Sequence, residues 1–341
     1  MKWKIAVAAL ALAGTCSAAP SHAIELKVAD SFPAGHYIVR LLLQPWMEDV
    51  TKRTNGAVTF SYFPNQQLGK AEDMLRLAQS GVIDIGYIAP SYASDKMPLS
   101  EVAELPGEFA TSCEGSLAYW KSARTGLIAQ QEYAPNKIRL LFEVALPPYK
   151  IFTARKRIES DQDIQGLKLR TTGGAQDLTA RALGAVPVRM AAPDAYQSLS
   201  RGTLDGLLFP TESIGSYGLT KLVRYATDSV SLASFIVAYS ISQASWNHLP
   251  PDVQKVIDDT SEAMEPKMCA AVDENLAAAR KQLEAAGVSF VPMPDAALKA
   301  LDGKLKDVGT QWAAKLDRRG KPGSAVLKEF HGLLADADAK N

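Results

Sequence analysis

Gly166-Leu167-Lys168-Leu169-Arg170-Thr171 opens the stretch that decides the fold, and Leu204-Asp205-Gly206-Leu207-Leu208-Phe209-Pro210 closes it. The opening piece alternates apolar and basic residues, which reads as a strand with Leu167 and Leu169 on one face. The closing piece is a short apolar run after a turn signal, the pattern of a buried parallel strand. Between them, residues 175–183 read as a helix, 186–190 as a strand and 194–200 as a second helix. The result is a β-α-β-α-β unit. In open sheets of this kind a ligand sits beyond the carboxyl ends of the strands. Arg170 and Phe209 fall at two such ends, so they mark half of a pocket for a small organic anion. On spacing alone, Arg170 reads equally well as an ordinary strand-end cation, and Phe209 as core.

The first 90 residues repeat the pattern. Residues 24–29, 58–63 and 82–88 read as strands. Residues 37–52 and 70–79 read as helices, the first kinked at Pro45. Ser80-Gly81-Val82-Ile83-Asp84-Ile85-Gly86 leads into the third strand, as Arg201-Gly202-Thr203-Leu204-Asp205-Gly206-Leu207 does in the later unit. In both, a helix stops at glycine and aspartate follows three residues later. Two similar α/β domains are the simplest account. Residues 89–145 are mostly helical in character, ending in a strand at 139–144. Pro147-Pro148 separates that strand from another at 150–154. A returning strand at 235–243 supplies a hinge crossing. A long helix covers 251–287 with Pro266 inside it, a last strand follows at 289–292, and two amphipathic helices fill 295–337.

The chain has 341 residues, with 37 Lys plus Arg against 37 Asp plus Glu. Lys2 and Lys4 precede an apolar run at 5–13, and small residues end in Ser21-His22-Ala23. This reads as an export signal over 1–23, too short to span a bilayer. A lipoprotein reading would use Cys16, but Ala13-Gly14-Thr15 fits a lipid-attachment box poorly. Removing the signal lowers Lys plus Arg from 37 to 35, a net charge of about −2. With no basic tail or arm, nucleic acid is not an expected partner. An oxidising compartment would permit Cys113 and Cys269 to pair. They lie in unrelated helical segments, however, and two buried free thiols are the expectation.

Catalysis finds little support. The exported chain carries only His36, His248 and His331, none paired with another ligand at helical spacing. It has no His-Glu-x-x-His, no Cys-x-x-Cys and no Gly-x-Ser-x-Gly. Thr171-Thr172-Gly173-Gly174 is too short for a phosphate-binding loop. No cluster of hard oxygen ligands suggests a metal, and no cofactor is expected. An exported pair of α/β units without a catalytic set favours a binding protein.

Seven pieces carry a family resemblance across essentially the whole exported chain. They are Phe63-Pro64-Asn65-Gln66-Gln67-Leu68-Gly69, Gly81-x-x-Asp84, Leu105-Pro106, Asp163-Ile164-Gln165-Gly166-Leu167-Lys168-Leu169-Arg170, Leu183-Gly184-Ala185-x-Pro187-Val188, Asp205-Gly206 and Trp246-Asn247-x-Leu249-Pro250. Together they resemble the extracytoplasmic solute-binding subunit of a tripartite ATP-independent periplasmic (TRAP) transporter. The resemblance implies a periplasmic-binding-protein-like fold: two α/β domains joined by hinge strands and a long helix, with the ligand in the interdomain cleft. The division expected is 1–23 as signal, 24–149 with 235–275 as the first lobe and hinge elements, 150–234 as the second lobe, and 276–341 as C-terminal helices packing across the lobes. It also implies a periplasmic monomer that binds a small carboxylate and hands it to TRAP membrane subunits.

Arg170 matches the family arginine that clamps the ligand carboxylate. A guanidinium is planar, permanently charged and able to grip a carboxylate with two parallel bonds. Lys150 stands where some members carry a second arginine. Phe209 stands where many relatives that bind polar acids place asparagine, and it offers a flat apolar face instead. The ligand expected is therefore a monocarboxylate with an apolar or aromatic body, such as an aryl or 2-oxo acid. Phe32, His36, Tyr37, Tyr87 and Tyr92 are the first unit's candidates. Glu212 would hold a ligand hydroxyl, orient Arg170 or Lys150, or help bind a cation. The competing readings are a ligand-loaded sensor for a membrane kinase and a periplasmic enzyme acting on organic acids.

Overall fold

The computed structural model describes residues 23–338, and every structural statement below concerns those residues. The expected export signal lies outside them apart from Ala23. In chain order the elements are β1 (Ile24–Ala29), α1 (Gln44–Arg53), β2 (Val58–Phe63), α2 (Met74–Gln79), β3 (Ile85–Tyr87), α3 (Ser112–Arg124), β4 (Ile138–Ala145), β5 (Lys150–Thr153), β6 (Lys168–Thr171), α4 (Gly174–Ala182), β7 (Val186–Arg189), α5 (Ala195–Ser200), β8 (Gly206–Phe209), α6 (Thr211–Ser216), β9 (Tyr225–Thr227), β10 (Ile236–Ser242), α7 (Gln243–His248), α8 (Pro251–Ala285), β11 (Ser289–Val291), α9 (Asp295–Leu305), α10 (Val308–Asp317) and α11 (Gly323–Asp338).

The strands form two mixed sheets, ordered β2-β1-β3-β10-β4 and β11-β9-β5-β8-β6-β7. In the first, β1 runs parallel to β2 and β3, and β10 is antiparallel to β3 and β4. In the second, β6 runs parallel to β7 and β8, and β5 is antiparallel to β8 and β9. This is the expected two-domain, periplasmic-binding-protein-like α/β fold. The twin Gly-x-x-Asp motifs do the same job in each sheet. Gly81 and Gly202 take left-handed φ values of 74° and 72° to end their helices. The Asp84 carboxylate then accepts the Lys27 N–H at 2.8 Å, and the Asp205 carboxylate accepts the Lys168 N–H at 2.8 Å. Each aspartate thus fixes the start of its sheet's first pairing.

Two short segments cross between the sheets. Residues 146–149 join β4 to β5, and residues 228–235 join β9 to β10. The crossings bond to each other: Leu146 N–H donates to Phe235 C=O at 2.9 Å, and Tyr149 N–H to Ala233 C=O at 2.7 Å. β10 itself lies wholly in the first sheet, so the hinge is the segment before it. The third connection is α8, 35 residues long, or about 52 Å at the helical rise. Near its start Ser261 accepts the Trp46 indole N–H at 3.0 Å beneath the first sheet. After its end, β11 joins the second sheet. Pro266 is accommodated inside this helix rather than splitting it.

Three local expectations need correction. Cys113 and Cys269 are not free thiols; they form a disulfide, with Cα atoms 4.7 Å apart, a separation suited to the bond. The two are 156 residues apart in sequence, and only the packing of α3 on α8 brings them together. Asp273 of α8 accepts the Ser112 and Cys113 N–H groups at 2.7 and 3.1 Å, pinning the start of α3 there. The tail holds three helices, because the chain also breaks between α9 and α10, where no proline or glycine signals it. Short β9 carried too few residues for a pattern. Pro45 sits in the first turn of α1 behind a π-helical turn at Val39–Leu43, and that wider turn absorbs the missing donor.

Candidate functional site

The carboxyl ends of β1, β3, β6 and β8 face one another across the gap between the sheets. There they line a narrow cavity. The first sheet supplies Phe32 after β1, Tyr87 of β3, and Tyr92 from the short helix Pro90–Ala93. The second supplies Arg170 of β6, Phe209 of β8, and Ser213 and Tyr217 at α6. The crossings supply Leu146, Tyr149 and Phe235, and Val237 of β10 completes that side. A wider groove near Glu108 and His331 lies among the C-terminal helices, and there the imidazole and carboxylate already satisfy each other at 2.7 Å.

Arg170 is the group that gives the cavity its chemistry. It is 1% exposed, and among the described residues no carboxylate pairs with it. Its Nε donates to Met190 C=O at 3.1 Å, Nη1 to Leu208 C=O at 3.4 Å, and Nη2 to the Tyr92 hydroxyl at 3.1 Å. The Phe209 ring lies under the guanidinium, 4.9 Å from ring centre to carbon, and supplies a cation–π contact. A guanidinium has five N–H donors; these three bonds leave two open. Burying a charge without a partner costs several kcal/mol. A carboxylate brought to the two open donors would remove that cost.

The nearest acid does not cancel the charge. Burial pushes the Glu104 carboxyl up to about 8, against hydrogen bonds from Ser91 and the Ile236 backbone and the pull of Arg170. Glu104 is therefore mainly neutral at pH 7. Tyr92 adds a donor to the fork. Its oxygen accepts from Arg170 and from the Ala192 N–H, each at 3.1 Å. With both lone pairs used, its own proton is the part left to offer.

The remaining walls are aromatic. Phe32 stacks on His36 at 4.4 Å and tilts against Tyr87 at 4.4 Å. Asp30 positions Phe32 by accepting its N–H at 3.0 Å, and in turn accepts from the hydroxyls of Tyr62 at 2.9 Å and Tyr239 at 2.7 Å. Burial outweighs these bonds and raises the Asp30 carboxyl to about 6. Tyr217 meets the Phe209 ring edge-on at 5.9 Å.

Of the nine expected site residues, Arg170, Phe209, Phe32, Tyr87 and Tyr92 line the cavity. The other four do not. His36 stands behind Phe32, and burial drives its imidazole down to about 3, so it is neutral. Tyr37 and Glu212, the latter in the first turn of α6, are buried, and neither the phenol oxygen nor the two carboxyl oxygens has a hydrogen-bond partner. Burial raises Glu212 to about 8. Lys150 is turned away: its ammonium pairs with Asp228 at 3.3 Å, beside the two bonds of 2.9 and 2.8 Å that Arg280 makes to the same carboxylate. Tyr149 and Tyr217 went unrecognised. Tyr149 follows Pro147-Pro148 in a crossing whose path is set by the fold, and Tyr217 lies beyond the last helical turn of α6.

Direct contacts between the lobes hold the cavity shut. Arg189 donates to Ser91 C=O at 3.0 Å. Glu101 accepts the Ala175 N–H at 3.0 Å at the start of α4. Gly174 makes the latter approach possible: it takes φ +49°, and a Cβ there would collide with the Glu101 carboxyl.

Comparison with known proteins agrees with this architecture. The model of the family described as bacterial extracellular solute-binding protein, family 7, matches residues 29–315. A TRAP solute-binding protein from Rhodoferax ferrireducens, solved with copurified benzoate, superposes with a TM-score of 0.86 at 25% identity over 93% of this chain and 99% of that one. One from Bordetella bronchiseptica, with bound (R)- and (S)-mandelate, gives 0.82 at 29% identity over 92% and 99%. A marine metagenome TRAP solute-binding protein specific for aromatic acid ligands, with co-crystallized 3-hydroxybenzoate, gives 0.87 at 26% identity over 93% and 99%.

Proposed function

The chain belongs to the bacterial extracellular solute-binding proteins of family 7, and we propose that it captures a small aromatic monocarboxylate and delivers it to the membrane subunits of a TRAP transporter. Members of this family are substrate-binding transport proteins. The observation that carries the ligand assignment is Arg170, buried without a counter-ion and with two donors open, inside walls of Phe32, Phe209 and tyrosines. The carboxylate lies against the Arg170 fork and the Tyr92 hydroxyl, and the ring lies among the aromatic walls. A second carboxylate would meet no second free cation, since Lys150 is held by Asp228. That favours monocarboxylates over dicarboxylates. The benzoate, mandelate and hydroxybenzoate bound by the similar structures support the same class.

The proposal includes export to the periplasm through residues 1–23 and action as a monomer. It also includes the division into lobes at 24–149 with 235–275 and at 150–234, with 276–341 packed across them. In it Arg170, Tyr92, Phe209, Phe32 and Tyr87 touch the ligand, while His36, Tyr37, Glu212 and Lys150 support the walls. Thermal denaturation of the exported chain tests the ligand class. Benzoate, phenylacetate and mandelate are expected to raise the melting temperature. Stabilisation by succinate or sialic acid, with none by the aromatic acids, would overturn the assignment.

A further inference from the structure

We propose that Gly173 and Gly174, a pair too short to cradle a phosphate, receive a lock formed by Glu101 and Arg189, and that this lock sets how long a captured ligand stays. None of the four lines the cavity. The inference rests on the capture reading above and adds to it the residues that govern release.

Two ties cross the gap between the sheets in opposite directions, and both meet the loop between β6 and α4. Glu101 lies in the short helical turn Ser100–Glu104 on the side of the first sheet. Its carboxyl reaches across to accept the Ala175 N–H at 3.0 Å. Arg189, at the end of β7 in the second sheet, reaches back to donate to Ser91 C=O at 3.0 Å. The glycines leave room for both. Gly173 and Gly174 take φ values of +108° and +49°; a Cβ on the first would stand 2.7 Å from Arg189 Nε, and one on the second would overlap the Glu101 carboxyl. Both obstacles are the ends of flexible side chains, so the crowding is relieved by turning them away. Turning them away breaks the tie. A methyl group at Gly174 therefore opposes the closed arrangement, while the backbone strain of alanine at that φ acts on open and closed forms alike.

The lock adjoins the site. Gly173 and Gly174 follow Arg170 by three and four residues, and Ser91 precedes Tyr92, whose hydroxyl accepts from Arg170 at 3.1 Å. The segment that presents the guanidinium thus also presents the receiving loop. Gln176 anchors that loop to a crossing: it accepts the Thr172 N–H at 3.1 Å and donates to Ser234 C=O at 2.9 Å. This anchor lies beside the connection between the sheets, whereas the Glu101 and Arg189 ties span the gap and have to break when it opens. Burial, with Glu104 and Glu132 nearby, holds the Glu101 carboxyl well above the usual carboxylate range. It therefore accepts the Ala175 N–H as a neutral group, and a glutamine oxygen is equivalent to it.

Release requires the gap to open, so a weaker lock shows in the dissociation rate and not in the association rate. Stopped-flow fluorescence with benzoate and with mandelate is run on the exported chain and on Gly174→Ala, Glu101→Ala and Glu101→Gln. One neutral hydrogen bond predicts release about 2- to 10-fold faster in the two alanine variants, by the same factor for both acids. Association is expected to stay at the wild-type rate, and Glu101→Gln to release at close to the wild-type rate. The alanine changes attack the lock from opposite sides, so poor folding of one leaves the other to decide. Dissociation unchanged in both overturns the lock and leaves the capture reading standing. A loss that differs between the two acids, or that falls on association, also overturns it, since the pocket itself would then be disturbed. The Ala175 N–H gives a reading that needs no ligand. As one of the first four donors of α4 it has no acceptor within the helix, so its hydrogen exchange should be slow in wild type and in Glu101→Gln and fast in Glu101→Ala. Equal exchange in all three overturns the lock, and it does so even where neither acid binds and the aromatic-acid reading falls by itself.

Discussion

Replacing Arg170 by methionine separates binding from folding. Methionine keeps much of the length of the side chain and removes its charge and all five donors. The loss to the ligand is the pair of open N–H groups. Charge-assisted bonds contribute about 1.5–3 kcal/mol each, so the variant loses about 3–6 kcal/mol of binding. That corresponds to a factor of about 10² to 10⁴ in affinity. The empty fold behaves differently. Removing an unpaired buried charge relieves several kcal/mol. Against this, the Met190 and Leu208 carbonyls and the Tyr92 hydroxyl lose their donor, at about 1–3 kcal/mol each for a buried group left unmatched. The two effects oppose each other, so the ligand-free melting temperature is expected to move by only a few degrees. Calorimetric titration with benzoate and mandelate, alongside melting with and without ligand, reads both quantities. Benzoate affinity within tenfold of wild type in a folded Arg170→Met protein would refute the reasoning. Arg170→Lys adds a control: the charge remains but the fork is lost, so its affinity should fall between the two.

Three further expectations follow from burial and topology. Ligand affinity should decline above about pH 8 as Glu104 ionises beside Arg170 and competes for it; Glu104→Gln should flatten that limb of the pH profile. Glu104, Glu212 and Glu265 rise to about 8 and Glu132 to about 7, all by burial. A carboxyl raised in the fold stabilises it fully below its ordinary range near 4.5, and that contribution is lost as pH climbs through the folded value. Glu132 alone then accounts for about 3 kcal/mol, so melting temperatures should be higher at pH 5 than at pH 8.5. Replacing both Cys113 and Cys269 by serine frees a loop of 156 residues and should cost about 5 kcal/mol on the chain-entropy account, read by denaturant unfolding; a change under 1 kcal/mol would discount that account.

The strand ends were legible because they obey local rules. Leu167 and Leu169 alternate, Gly81 and Gly202 stop helices, and the aspartates three residues on start strands. Those rules put Arg170 and Phe209 near the carboxyl ends of their strands, and both line the cavity between the sheets. Whether Arg170 lacked a counter-ion was not legible, because that depends on every carboxylate that the fold brings near it. Lys150 illustrates the difficulty: its position in β5 fits a pocket, but Asp228, far along the chain, takes its charge. The disulfide was hidden for the same reason, since α3 meets α8 only in three dimensions. Tyr149 escaped notice because a crossing has no periodicity to read.

The paired crossings carry one more implication. Leu146, Tyr149 and Phe235 belong to the two strips that tie one sheet to the other, and they also form one wall of the cavity. In the proposed complex the tie between the sheets and the seat of the guest would therefore be the same residues. A guest long enough to touch that wall would bear on the joint directly, with no relay through intervening residues. One that reaches only the guanidinium can occupy the site and still leave the two halves free to swing.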